Sequence, residues 1–288
     1  MSIRKVLLPL SSTAAGGSSL ATGLLVARIW GAHLAALHVR VDARDVAPLA
    51  GEGLSGAMIE EMMAATEKES AERSASVRAL FDRAVAEQQI SLAEPKAAER
   101  VATASFTAVV GREEDLVAQQ ARLADLTVVA HPEASGDAAS ADALHAVLFD
   151  SGRPVLLAPG HPPATIGRRI CVAWNGTAES ASAITAALPW LQRAEAVRIL
   201  SSVGYQRRGP AAEELAPYLA LHGVVAEIGT IQPVGGVIGA GLLAAAEAFG
   251  ADLVSMGAYS HSRLRQLILG GVTRHVLEHA RLPILMTR

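Results

Sequence analysis

Leu123-Ala-Asp-Leu-Thr-Val-Val-Ala130 and Gly250-Ala-Asp-Leu-Val-Ser-Met-Gly257 are two copies of one pattern. Each follows an apolar-faced helical stretch and carries aliphatic residues in a strand-like run. Further on, Arg153-Pro-Val-Leu-Leu-Ala158 repeats as Leu282-Pro-Ile-Leu-Met-Thr287. Asp125 and Asp252 stand 127 positions apart and Pro154 and Pro283 stand 129 apart, so the spacing holds through this region and marks an internal repeat. Upstream, Lys5-Val-Leu-Leu-Pro-Leu10 matches Arg169-Ile-Cys-Val-Ala-Trp174. A small polar turn follows each run, Ser11-Ser12-Thr13 or Asn175-Gly176-Thr177. Helical stretches then run over 17–30 and 179–191, and second strands over 33–39 and 196–203. Val6 and Ile170 are 164 apart, and the excess lies in a helical excursion over 53–89. There Val77, Leu80, Phe81 and Val85 share one face, and Met58, Ile59, Met62 and Met63 read as ordinary core packing rather than a partner surface.

Strands alternating with helices of roughly 10–15 residues imply parallel sheets with right-handed crossovers and helices on both faces. The expected fold class is α/β, with two tandem doubly wound five-stranded parallel-sheet domains over residues 1–160 and 165–288. Pro159-Gly-His-Pro-Pro163 is the expected linker, because its prolines disfavour helix and strand.

Composition narrows the function. The chain has 288 residues, 51% of them apolar but only 3% aromatic, which suits aliphatic cores beneath small-residue helices. A formal net charge of −3 supplies no field to gather polyanions, so nucleic acid is not an expected partner. The one cysteine, Cys171, excludes an intrachain disulfide framework and reads as a buried thiol in a reducing compartment. Without a secretory h-region at the start, the expected location is the cytoplasm. The apolar stretch over 233–246 is interrupted by glycine and shorter than the ~18 residues a membrane span needs, so no membrane is expected as a partner.

Chemistry concentrates after the fourth strand of the second half. Gly257-Ala-Tyr-Ser-His261 is followed by Ser262-Arg-Leu-Arg-Gln-Leu-Ile-Leu269 and by Gly270-Gly-Val-Thr273, which leads into a helix expected over 274–280. This loop resembles that of the universal stress proteins, whose nucleotide-binding members carry Gly, two residues, Gly, nine residues, Gly and then Ser or Thr. Glycines let backbone amides approach phosphate oxygens, and the following helix N-terminus favours an anion. Gly257 and Gly270 match the first and third glycines. Ser260 replaces the second, at a cost of about 1–2 kcal/mol if that position must be left-handed. Gly271 replaces the hydroxyl residue, which Thr273 partly restores. Arg263 and Arg265 supply positive charge, and His261 stands beside the loop as a donor.

The resemblance implies a stress-response binding or regulatory module. Its second domain would bind ATP or another adenine nucleotide, with Mg2+ only alongside the nucleotide. On the same ground Asn175 stands where binding members carry Asp, the backbone near Val203 faces the adenine, and Val272 belongs to the loop. The two domains would pack as a pseudo-dimer through strands 154–158 and 283–287, and chains would assemble further into a homo-oligomer. The first half has no glycine pair at the required spacing, and Asp137 and Asp142 would repel phosphate, so no nucleotide is expected there. The alternative is an interaction protein whose degenerate loops bind no nucleotide.

Other signals have plainer explanations. Gly239-Ala-Gly241 mimics a dinucleotide fingerprint but lacks the acidic residue ~20 positions on, so helix packing explains it better. His275 and His279, four apart on a helix, have no third ligand and read as a solvated face. No Gly-x-Ser-x-Gly elbow occurs, and no enzyme is expected; for a slow ATPase the loop offers only Thr273 and its hydroxyl neighbours.

Overall fold

The structure, a computed structural model, describes residues 2–40, 42, 55–94, 100–132, 138–202, 209–259 and 271–288. Its strands are β1 (Lys5–Pro9), β2 (His33–Arg40), β3 (Ser91–Leu92), β4 (Thr103–Val110), β5 (Leu126–Ala130), β6 (Val155–Ala158), β7 (Arg169–Ala173), β8 (Ala196–Ser201), β9 (Ala226–Thr230), β10 (Leu253–Gly257) and β11 (Ile284–Thr287). Among the described residues the helices are α1 (Thr13–Trp30), α2 (Gly56–Glu87), α3 (Glu113–Ala121), α4 (Ala138–Asp150), α5 (Ala178–Leu191), α6 (Ala212–Leu221), α7 (Ile238–Phe249) and α8 (Gly271–His279). None of them is long and apolar enough to cross a membrane.

All eleven strands join one sheet in the order β3-β4-β2-β1-β5-β6-β11-β10-β7-β8-β9. Leaving out β3, each half has the same doubly wound order, and every pairing is parallel except one. The exception joins the halves. β6 and β11 run antiparallel, with Val155 opposite Met286, Leu156 opposite Leu285 and Leu157 opposite Ile284. The terminal strands therefore pair across a pseudo-dyad, and each removes the other's open edge. The first half exceeds the expected five strands by β3, a two-residue strand that begins to cover β4.

Alternation along the strands feeds two cores, one on each face of the sheet. Val6 and Leu8 point to the face covered by α1, α2, α5 and α6, whereas Leu7 points to the face covered by α3, α4, α7 and α8. Both cores run through both halves. Cys171 lies in the second, and burial pushes its thiol up to about 12, which makes it unreactive at neutral pH.

The excursion in the first half is the 32-residue α2, capped by Ser55, whose hydroxyl accepts from the Met58 amide. Val77, Phe81 and Val85 are buried as the spacing predicts. The methionine end departs from the core reading. Met58 is 52% exposed and Ile59, Met62 and Met63 are only half-buried, because the sheet ends before this part of the helix and burial begins at Val77. Gly239 and Gly241 sit in α7 at close approaches. A Cβ on Gly239 would lie 2.7 Å from that of His275 in α8, and one on Gly241 would lie 2.1 Å from the Gln232 carbonyl oxygen. Helix packing explains both.

Candidate functional site

Strand order reverses between β7 and β10, and their carboxyl ends leave a crevice at which open α/β sheets bind their ligands. The cleft found there is lined by Trp174 and Asn175 after β7, Ser202 after β8, Gly257 at the end of β10, and Val272 and Thr273 in the first turn of α8. Segments far apart in the chain thus meet at one place. Val203, Ser260, His261, Arg263 and Gly270 lie outside the described residues, as do Arg265 and Asp137.

Local hydrogen bonds explain the shape. Asn175 Oδ1 accepts from the Thr177 amide at 3.2 Å and from the Thr177 hydroxyl at 2.9 Å, a side-chain turn that sets up the entry to α5. Thr177 then caps that helix, its Oγ1 accepting from the Ser180 amide at 3.3 Å. The Asn175 acceptor is therefore engaged inside the protein. Trp174 Nε1 donates to the Pro210 carbonyl at 2.9 Å and draws the chain at 209–210 over the turn. Gly176, at φ +77°, and Gly209 meet there backbone to backbone, and a Cβ on Gly209 would fall 2.0 Å from the Gly176 carbonyl oxygen.

Gly257 has a packing reason beside the one read from the loop. A Cβ on it would lie 2.6 Å from both the Glu179 carbonyl carbon and the Ser180 amide nitrogen. The end of β10 and the first turn of α5 approach so closely that only glycine fits. Gly271 is different: it opens α8, three residues earlier than the expected helix start, is exposed, and has nothing among the described residues within 4 Å of where its Cβ would stand. Thr273 is buried at 6% exposure.

The cleft holds 60 Å3, against the 300–1,000 Å3 or so of small-molecule sites. That is room for about two waters. The matching place in the first half is smaller still, 10 Å3, and Leu10, Ser11 and the first-turn residue Glu113 line it. A carboxylate thus stands there without help from Asp142. Asp142 departs from its expected role, because α4 turns it into the groove between the halves.

Reading the loop alone missed Trp174, Thr177 and Ser202. Trp174 and Ser202 each directly follow a parallel strand, β7 and β8, and the strand-end rule is the signal that finds them.

A mostly parallel, doubly wound sheet with a crevice at its turning point defines a Rossmann-like α/β protein. Residues 167–288 match the model of the universal stress protein family, and this half of the chain belongs to that family. Two solved structures share the fold over the whole chain. A universal stress protein from Archaeoglobus fulgidus DSM 4304 is 14% identical with a TM-score of 0.66, over 99% of this chain and 98% of that one. A protein of unknown function from Pseudomonas aeruginosa PAO1 is 15% identical with a TM-score of 0.56, over 99% and 92%. At such identities the likeness is one of fold. No curated relative matches the chain.

Proposed function

We propose that the chain is a tandem stress-response binding protein whose second half takes an adenine nucleotide, ATP in the first instance, in the strand-end cleft. The observation that carries this reading is the convergence of Asn175, Gly257, Val272 and Thr273 on one crevice at the turning point of the sheet. The phosphates would lie toward the N-terminus of α8, which Gly271 opens without a side chain. Val203, Ser260, His261, Arg263 and Gly270 complete the proposed site, and Mg2+ would enter only with the nucleotide. We assign the two domains to residues 1–160 and 165–288 and read the chain as a cytoplasmic binding module that forms homo-oligomers and has no catalytic residues.

At 60 Å3 the cleft must widen to admit a nucleotide, and part of the binding energy goes into that opening. The test is mass spectrometry of small molecules released from the native protein, with thermal shifts on added ATP in the presence and absence of Mg2+. Gly270→Asp, which sets a carboxylate against the phosphates, is the control. Release of ATP, ADP or AMP from the wild type but not from the variant supports the reading. Neither release nor a thermal shift favours the second reading, an interaction protein with degenerate loops. The narrow cleft and the internal engagement of Asn175 are the observations on that side.

A further inference from the structure

A much larger cavity, 940 Å3, lies in the groove between the halves, where α3 and α4 face Tyr259 and α8. Its volume falls within the roughly 300–1,000 Å3 of small-molecule sites. Among the described residues it shares no lining residue with the strand-end cleft.

One wall is a cluster of three inclined rings contributed by both halves. Phe149 and Tyr259 have centroids 5.1 Å apart at 51°, and His145 stands 6.0 Å from each, at 56° and 69°. His145 Nε2 and the Tyr259 hydroxyl are hydrogen-bonded at 3.1 Å, which fixes the cluster across the groove. Tyr259 holds φ +55°, a left-handed backbone that a non-glycine residue keeps only where its surroundings impose it. Aromatic faces attract cations, and one is already present: the Arg288 guanidinium lies 4.4 Å from the Phe149 centroid.

Charge around the rings has the complementary sign. Among the described residues five carboxylates line the groove against the guanidiniums of Arg122 and Arg274, with that of Arg288 beside them on the Phe149 ring. Both arginines are engaged, Arg274 with Glu278 at 2.6 Å and Arg122 with the Asp150 carbonyl at 3.1 Å. Glu114 is taken up by Arg112 at 2.7 Å. Asp115 and Asp142 take part in none of these pairs.

We propose that the groove between the halves is a binding site for a small organic cation with an aromatic or apolar body, which packs on the Phe149–Tyr259–His145 rings with its charge against Asp115 and Asp142. Carbon surface supplies the affinity, and the ring faces and the two carboxylates supply the sign selectivity.

The test is a fluorescence anisotropy titration of rhodamine 6G against the full chain, with the anionic dye 1-anilinonaphthalene-8-sulfonate as competitor. Two variants accompany it, each checked for an unchanged far-ultraviolet spectrum. Asp115→Asn/Asp142→Asn alters only exposed side chains, and Phe149→Leu keeps apolar bulk while removing the ring. Saturable rhodamine 6G binding that the anion does not displace, weakened about five-fold in the double variant and by at least about as much in Phe149→Leu, supports the site. Absence of saturable binding, displacement by the anionic dye, or an affinity unchanged in either variant overturns it.

Discussion

Trp30 and Trp190, which stand at the ends of equivalent helices α1 and α5, meet edge to face across the pseudo-dyad with ring centroids 5.2 Å apart and planes at 82°. Arg193 lies over the Trp30 ring at 4.6 Å, and a Cβ on Gly167 would come within 2.5 Å of the Trp190 ring. Both indoles are buried, so the pair fastens one face of the sheet where β6 and β11 join its middle. Trp190→Ala is expected to cost about 3–5 kcal/mol, read as a lower urea midpoint. A double-mutant cycle with Trp30→Ala should return a coupling of about 0.5–1.5 kcal/mol. Additive losses would show that the rings fill space without holding each other.

The repeated Ala-Asp-Leu has a structural cause. Asp252 accepts from the amides of Gly167, Arg168 and Arg169 at 3.0, 3.2 and 2.9 Å, and Asp125 accepts from those of Arg4 and Lys5 at 2.8 and 3.0 Å. The carboxylate pins the start of β1 to the start of β5 in the first half and the start of β7 to the start of β10 in the second. Asp252→Ala should lose about 2–3 kcal/mol and Asp125→Ala less, because it loses fewer charge-assisted bonds. Equal losses in denaturant titrations would remove that explanation.

Gly257 and Gly271 should respond oppositely to the same substitution. Gly257→Ala forces a Cβ into the backbone of α5 and is expected to cost at least about 1–3 kcal/mol, whereas Gly271→Ala meets none of the described residues at a helix start and should be neutral or slightly stabilising. Gly271→Ser restores a hydroxyl at the N-terminus of α8. It should raise ATP affinity in calorimetry by about five-fold if the phosphates lie there.

Two histidines give the protein an acid-sensitive stability. His33 bonds Thr103 and Ser105 through its two ring nitrogens, both at 2.9 Å, and His38 Nδ1 donates to the Leu10 carbonyl at 2.6 Å. Burial is the largest influence on both and holds their pKa values below the ordinary 6.5. The unfolded chain therefore binds more protons than the folded one once pH drops below about 6.5. Their contribution is fully present above that value, is lost as pH falls toward the folded pKa values, and levels off beyond them. Urea midpoints should drop as pH falls below about 6.5, and His38→Asn should flatten that slope.

Much of the fold was legible because repeated aliphatic runs and their spacing report burial directly. Val77, Phe81 and Val85 show it, since a helical period survives wherever a helix lies on a sheet. The exposed Met58 marks the limit: periodicity states which residues share a face, not whether the sheet extends beneath it. In the candidate site, Asn175 and Gly257 were legible through the resemblance of the strand end and the glycine loop to those of the family. The role of Asn175 as a turn former, the closure by Trp174 and Pro210, and the Ser202 wall depend on segments brought together from elsewhere in the chain.

By itself the sequence determined the two α/β halves, their terminal strands and the altered loop of the second half, because each is written in local pattern and spacing. Only the tertiary structure decided the size of the strand-end cleft, the small room beside Glu113 in the first half, and the ring-lined groove between the halves. The physical reason is that volumes and ring contacts arise between segments over a hundred residues apart, such as His145 and Tyr259, whose separation no local pattern encodes.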